Sequence, residues 1–170
     1  MDTVEHLEIS ELPDQSCELI AVAEWLNEEW GQSKGYDLSD TLRWCKDLAK
    51  ASNETIIVAR RDDQLMGCVC VVECDLESRK KLSPWLSSLF VPMGERGGLI
   101  GQALVDAACN WARRTGFTNM FLYALEGSLT AYYGRLGWVQ LSSFTLDGAT
   151  FGLMHRPLCV DGEEAEHDHV

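Results

Sequence analysis

The chain has 170 residues, of which 46% are hydrophobic and 24% charged, and its net charge is −13. These values are typical of one globular domain and argue against a disordered, fibrous or collagen-like chain. The acidic balance argues against a nucleic-acid-binding surface, and no run approaches the roughly 18 consecutive apolar residues of a membrane span. The N-terminal sequence MDTVEHLEIS is acidic where a secretory signal would be basic, so we expect a cytoplasmic protein.

Hydrophobic periodicity predicts a strand, two helices and a hairpin in the first half of the chain. A strand is expected over 4–9, and a helix that opens at Asp14 carries apolar residues at helical spacing. Ser39 is expected to cap a second helix. Two runs rich in β-branched residues, 55–60 and 65–74, flank a polar turn and predict an antiparallel hairpin.

The second half continues the alternation of strands and helices. Strand 85–91 is followed by the clearest helical pattern in the chain, over 100–115, and then by a buried strand over 119–124. Ser128 is expected to cap a short helix. The closing segments VQLSSFTL and ATFGLMHR flank an Asp-Gly pair, which is the sequence that a type I′ hairpin turn favours.

The predicted order of elements is β-α-α-β-β-β-α-β-α-β-β. This order indicates a single mixed α/β domain over residues 1–160. Residues 161–170, DGEEAEHDHV, form an acidic tail that we expect to be disordered rather than to hold a metal through His167 and His169.

The cysteines indicate a reducing environment rather than a metal site. There are seven, an odd number, and most lie inside apolar segments, so we expect reduced, buried thiols. Cys68, Cys70 and Cys74 are close in sequence, yet they form no Cys-x-x-Cys pair and have no histidine nearby. We therefore expect no metal.

The junction between the fourth predicted strand and the third predicted helix carries the first chemical signal. Its sequence PMGERGGLIG places Arg96 and several glycines where a strand turns into the start of a helix. Backbone N–H groups in such a turn are unpaired and, together with the helix dipole, attract an anion such as a pyrophosphate. By itself this signal is weak, because a glycine-rich turn can also be purely structural.

Two motifs give the chain a resemblance to the GNAT family of N-acetyltransferases. The first is Arg-Gly-Gly-Leu-Ile-Gly at 96–101, where the family carries a Gln/Arg-x-x-Gly-x-Gly/Ala turn for the pyrophosphate of coenzyme A. The second is Ala-Tyr-Tyr-Gly-Arg-Leu-Gly-Trp at 131–138, which is similar to the family's Phe-Tyr-x-x-x-Gly-Phe/Trp. The resemblance extends from Glu29 through VVECDLESR and PWLSSLFV to MHRPL, and it is greatest to a branch of small bacterial proteins.

The resemblance implies a GNAT-type fold with a splayed central strand, in which acetyl-CoA is the co-substrate and no metal takes part. It also implies a bulge in that strand, whose amides would face the pantetheine and the thioester oxygen. The family's middle glycine falls on Leu99, which we expect to serve if its φ stays negative and its side chain points inward. The cofactor-binding residues that the resemblance implies are Leu89, Phe90, Val91, Arg96, Gly97, Gly98, Leu99, Ile100 and Gly101.

The resemblance also suggests the catalytic residues. Tyr133 stands where the family places the acid that protonates the leaving thiolate, with a core aromatic as the alternative, and Tyr132 is expected to pack. Glu73 and Asp75 are expected on one face of a strand end, with Glu73 as the base, although both could be solvent-exposed acids. The residues expected to line the acceptor pocket are Glu29, Trp30, Tyr36, Asp75, Trp85 and Glu126.

Three functions remain open at this point. The leading prediction is acetyl transfer to a small cationic amine, such as a polyamine, an amino sugar or an amine antibiotic. The alternatives are acetylation of a peptide N-terminus or lysine, and a non-catalytic module that binds coenzyme A. We expect a monomer or homodimer without a nucleic-acid or membrane partner.

Overall fold

The structure is a computed structural model that describes residues 6–158. The strands are β1 Leu7–Glu11, β2 Thr55–Arg61, β3 Gln64–Val72, β4 Trp85–Phe90, β5 Asn119–Leu125, β6 Val139–Leu146 and β7 Ala149–Pro157. The α-helices are α1 Glu18–Leu26, α2 Leu38–Lys50, α3 Ile100–Thr115 and α4 Ser128–Arg135. A π-helix, Asn27–Gly31, extends α1, and short 3₁₀ turns lie at Gln32–Lys34, Glu77–Arg79 and Met93–Glu95.

The seven strands form one mixed sheet in the order β1-β2-β3-β4-β5-β7-β6. Neighbouring strands are antiparallel except β4 and β5, which are parallel. Side chains of α1 and α2 pack with one set of buried strand residues, and side chains of α3 and α4 pack with the other. We call these two sides of the sheet the α1 face and the α3 face.

The helix α3 shows how the sequence pattern produces the packing. Leu104, Ala108 and Ala112 repeat one turn apart and are completely buried against the α3 face. The helix ends at Gly116, whose φ of 103° lies in the left-handed region that glycine adopts without strain. Because α3 is packed against the sheet in this way, the turn that precedes it is held next to the end of β4.

The closing hairpin has the predicted turn. Asp147 and Gly148 both have positive φ, 50° and 78°, which is the conformation of a type I′ turn. The predicted order of strands and helices is confirmed, and so is the mixed α/β fold. The tail at 161–170, including His167 and His169, lies outside the described residues, as do the first residues of the strand predicted at 4–9.

Three predicted helix starts are wrong by a few residues. The first helix begins at Glu18 rather than Asp14, since the Ser16 hydroxyl accepts the N–H of Glu18. Asp37, not Ser39, caps α2, because Asp37 and Asp40 accept each other's backbone N–H groups in a capping box. Gly127, not Ser128, precedes α4.

The described cysteines are free thiols, as expected. Cys45, Cys68, Cys70 and Cys109 are buried, and burial raises the pKa of each of these thiols. Since the thiolate is the reactive form, these groups serve packing rather than chemistry. Cys17 and Cys74 are exposed.

Candidate active site

The parallel strands β4 and β5 separate after a single pair of residues. Trp85 pairs with Phe121, and the N–H of Phe121 donates to the carbonyl of Pro84 at 3.0 Å. Beyond this point β4 stays paired with β3, and β5 stays paired with β7. The sheet therefore has a gap on one side of β4, where backbone groups lack a strand partner.

A bulge marks the start of the gap. Ser87 pairs with Cys70 and Phe90 pairs with Cys68, so β4 has one more residue than β3 between these pairs. Ser88 takes up the extra residue with a φ of 53°, which is uncommon for a residue with a side chain. The expected bulge is present and centres on Ser88, just before Leu89.

The turn before α3 presents free N–H groups to the same region. Gly97 has a φ of 86°, and Gly98 has nothing closer to a potential Cβ than the Glu95 carbonyl at 4.0 Å. Among residues 6–158, no hydrogen-bond acceptor is found for the N–H groups of 97–101, and the first backbone bond of the helix is donated by Ala103 to Leu99. The turn can therefore bind an anion through its backbone.

Leu99 meets one of its two expected conditions. Its φ is −92°, so its N–H can take part in the turn. Its side chain does not point inward, because it is 75% exposed, and Met93 at the other end of the loop is 81% exposed. The condition of a negative φ is therefore met and the condition of an inward side chain is not.

Arg96 connects the turn to the end of β4. Its Nε donates to the Val91 carbonyl at 2.7 Å, and its guanidinium carbon lies 5.7 Å from the centre of the Phe90 ring. The neighbouring Glu95 pairs with Arg61 at 3.3 Å. These contacts hold a positive charge beside the free N–H groups of the turn.

The two tyrosines of α4 differ in burial and surroundings. Tyr133 is 8% exposed, its ring lies 6.0 Å from that of Trp138, and burial raises the pKa of its hydroxyl well above the ordinary value. Tyr132 is less buried, and its hydroxyl would lie 2.8 Å from a Cβ placed on Gly101. Both tyrosines therefore pack on the α3 face, where Tyr133 stays protonated at neutral pH.

Asp75 lies on the α1 face of the sheet, next to the bulge in β4. Its Oδ1 accepts from the Ser87 hydroxyl at 3.1 Å, and its charge acts on Tyr123 of β5. Burial raises the pKa of this carboxyl, although Ser87 and the charge of Lys34 oppose the rise. Asp75 thus stands at the gap on the α1 face with a pKa that burial raises above its ordinary value.

The structure separates Glu73 from Asp75. The strand β3 ends at Val72, so the alternation that was expected to place both acids on one face does not continue. Glu73 is exposed, and its backbone N–H donates to Glu54 at 2.9 Å. Within residues 6–158, no contact links Glu73 to the gap, so its predicted role as the base gains no support from its position.

Two of the residues predicted for the acceptor pocket lie elsewhere. Trp85 is 0% exposed, and its indole N–H donates to the Leu82 carbonyl at 2.7 Å, so it belongs to the core. Glu126 accepts from Gln140 and Ser143, and Gln140 lies beside α4, on the α3 face. The structure thus corrects both predictions.

The remaining predicted acceptor residues lie around the π-helix. Trp30 is partly buried, with its ring 6.5 Å from that of Phe90. Glu29 is exposed, and Tyr36 is 56% exposed. Of the three, only Trp30 contacts a residue at the edge of the gap.

Sequence reasoning missed several aromatic residues on the α1 face. The ring centres of Trp25 and Phe90 lie 5.2 Å apart. The rings of Tyr123, Phe144 and Phe151, which come from three strands, contact one another. The alternation in NMFLYA was a usable signal for Tyr123, because period two puts it on the face opposite Leu122.

These observations, a splayed and bulged strand beside a free helix N-terminus, agree with the comparison with known proteins. The family model described as the acetyltransferase (GNAT) family matches residues 19–138. The chain belongs to this family. No curated protein matches it in sequence.

Solved structures with the same fold include several acetyltransferases. An aminoglycoside 6'-N-acetyltransferase complexed with coenzyme A has a TM-score of 0.72 and 14% identity, over 89% of this chain and 97% of that one. A putative acetyltransferase from Salmonella typhimurium with acetyl-CoA has a TM-score of 0.73 and 15% identity, over 96% and 99%. A ribosomal-protein-alanine N-acetyltransferase from Brucella melitensis has a TM-score of 0.72 and 18% identity, over 89% and 99%. At these identities the likeness shows the GNAT fold.

Between His6 and Leu158, no helix has both the length and the apolar character needed to cross a membrane. Within the same range, no group of three or more His, Cys, Asp or Glu side chains is arranged to hold a metal ion.

Proposed function

We propose that the protein transfers an acetyl group from acetyl-CoA directly to a primary amine. The observation that carries the proposal is the gap between β4 and β5, which opens beside the free N–H groups of the turn before α3. Membership of the GNAT family supports it, as do relatives of the same fold that were crystallised with coenzyme A or acetyl-CoA.

The turn fits the pyrophosphate of acetyl-CoA. Gly97, Gly98 and Leu99 are exposed residues, and their N–H groups lack acceptors among the described residues. The helix dipole favours a negative charge there. The open space at Gly98 lets a phosphate approach the backbone. The rest of the cofactor would extend along β4, past Leu89 and Phe90, where backbone groups lack a partner on the β5 side.

The position of the turn determines the direction from which the amine arrives. The turn and α3 lie on the α3 face, so the cofactor approaches the gap from that face. The amine must then approach from the α1 face, where Asp75 and Ser87 lie. Acetyl-CoA supplies an activated acetyl thioester, in which a C–S bond breaks as the C–N bond to the amine forms.

Two protons move in this reaction, and we assign one residue to each. The amine nitrogen loses one proton, which we assign to Asp75 directly or through water, in preference to the exposed Glu73. The leaving thiolate takes one proton, which we assign to Tyr133, because its hydroxyl stays protonated at neutral pH and can donate as negative charge develops on the sulfur.

A thermal-shift measurement with acetyl-CoA and a thiol-release assay with a panel of amines test the proposal. Tyr133→Phe should lower kcat by about 100-fold with little change in acetyl-CoA affinity, since the ring volume is kept. Tyr132→Phe is the matched control and should retain most of the activity. Equal turnover by Tyr133→Phe and the unmodified protein would remove Tyr133 from the mechanism, and release of no thiol with any amine would contradict the proposed function.

The assignment of the base has its own pair of variants. Asp75→Asn should lower kcat by at least 10-fold, within the range of a general base, whereas Glu73→Gln should leave kcat unchanged. The reverse result would return the role to Glu73. Arg96→Glu tests the cofactor site separately, because the new negative charge should weaken acetyl-CoA binding without touching the acceptor side.

A further inference from the structure

The α1 face carries an aromatic surface next to Asp75 that the chemistry of acetyl transfer does not require. Tyr123, Phe144 and Phe151 come from β5, β6 and β7, and their ring centres lie 5.5 to 5.8 Å apart. We call these three residues the aromatic wall. Since three strands contribute one residue each, the wall is held by the register of the sheet.

The wall is partly open to solvent. Each of its three residues is only partly buried. Among residues 6–158, α1 and α2 pack over β2 and β4, whereas α4 packs against β5 and β6 from the α3 face. The aromatic rings over β5, β7 and β6 on the α1 face are thus left without a covering helix in the described part of the chain.

The gap brings the wall and the carboxylate together. Tyr123 follows Phe121 by two residues and therefore lies one step beyond the last pair between β4 and β5. Ser87 lies one step beyond Trp85 on the same face of β4, and it holds Asp75. Burial and, after it, the charge of Asp75 raise the pKa of Tyr123, so this charge lies close to the wall.

The single carboxylate of Asp75 and the aromatic wall beside it determine which kind of amine can bind as the acceptor. One partly buried carboxylate can accept one ammonium group, and aromatic faces attract a single cation as well as an apolar body. A second or third ammonium group would lose water against apolar rings without a partner. Of the other acids expected here, Glu126 lies on the α3 face, and Glu73 and Glu29 are exposed to solvent.

We infer that the acceptor is a monoamine attached to an aromatic or other bulky apolar group, with its ammonium end at Asp75 and its body against the aromatic wall. The inference rests on the proposed function and narrows the small cationic acceptor expected from the sequence. It argues against polyamines and aminoglycosides as the preferred substrates.

The test compares 2-phenylethylamine with spermidine and kanamycin in the thiol-release assay on the full chain. We expect kcat/KM for 2-phenylethylamine to exceed that for either polycation at least 10-fold, the scale on which hydrophobic pockets discriminate. Phe144→Ala should raise KM for 2-phenylethylamine about 10-fold and leave KM for acetyl-CoA unchanged. The matched control is Leu146→Ala, which removes an exposed apolar side chain of the same strand.

Each result decides the inference. A polycation that outperforms 2-phenylethylamine, or a Phe144→Ala variant with an unchanged KM for it, overturns the inference while acetyl transfer stands. If Phe144→Ala fails to fold, Phe144→Leu keeps an apolar side chain without the ring, and the same KM comparison applies. If no amine releases thiol, the proposed function fails, and calorimetry of 2-phenylethylamine with the protein saturated with coenzyme A still decides: binding that Phe144→Leu weakens supports the inference, and no binding overturns it.

Discussion

Gly101 and Tyr132 offer a sharp test of how the cofactor turn is built. A Cβ at Gly101 would lie 2.8 Å from the Tyr132 hydroxyl oxygen, closer than nonbonded atoms approach, and the next nearest atom is the ring carbon Cζ of Tyr132 at 3.9 Å. The conflict thus comes from one oxygen atom. We expect Gly101→Ala to be destabilising in the natural chain and slightly stabilising when Tyr132 is replaced by phenylalanine.

The magnitude follows from two opposing effects. Overpacking costs about 1 to 3 kcal/mol, and we expect about 2 kcal/mol here, because the displaced atom is only the tip of a side chain. Its ring cannot move freely, since that of Tyr133 lies 5.1 Å away. Alanine in place of glycine within a helix gains up to about 1 kcal/mol. In the Tyr132→Phe background only this gain remains, so the effect of Gly101→Ala on stability should change sign.

A double-mutant cycle measures the coupling. The free energy of unfolding in denaturant and the acetyl-CoA affinity by calorimetry are determined for both single variants, the double variant and the natural chain. We expect a coupling of about 2 kcal/mol in stability, in the range of contacting residues. We also expect weaker acetyl-CoA binding in Gly101→Ala alone, because a displaced Tyr132 disturbs the first turn of α3. Additive effects would refute the arrangement of these two residues.

Three further predictions concern the same region. Leu99→Gly should keep or improve acetyl-CoA affinity measured by calorimetry, because it removes an exposed side chain beside the turn; loss of binding in a folded protein would contradict this. Ser88→Gly should raise the unfolding free energy by about 1 to 2 kcal/mol, the cost of a positive φ for a residue with a side chain, and Ser88→Val should lower it. Gly98→Val should weaken acetyl-CoA binding in calorimetry by blocking the approach to the backbone, and unchanged affinity would place the pyrophosphate elsewhere.

The sequence predicted the elements well where the signal is local. The row of buried apolar residues along α3 and the Asp-Gly turn of the last hairpin each depend on residues only a few positions apart in the sequence. The helix starts were predicted less accurately, because residues that can cap a helix lie close together in the sequence, as Asp37 and Ser39 do. There, a second contact decides: Asp40 completes a capping box with Asp37.

The cofactor side of the candidate site could be read from the sequence, and the acceptor side could not. The turn at 96–101 is one continuous segment, so its sequence motif is enough to predict its backbone shape. The acceptor side combines Asp75, which follows a strand end, with rings from β5, β6 and β7. Which face each residue occupies depends on where β3 ends and on how distant strands pair. Neither can be predicted from a local sequence pattern.

The burial of Asp75 leads to a last prediction, which separates a functional carboxylate from a structural one. Its raised pKa in the folded state means that folding favours the protonated form, so the charged form costs stability at neutral pH. This cost is absent below the unfolded pKa of about 4 and is reached in full as the pH rises through the folded value. Asp75→Asn can still accept from Ser87, so it should unfold at a higher Tm than the natural chain at pH 7 while losing activity. The gain should shrink as the pH falls through the folded pKa, with exposed Glu73→Gln as the control that shows no gain. A lower Tm for Asp75→Asn at pH 7 would identify Asp75 as a structural anchor and withdraw it from the reaction.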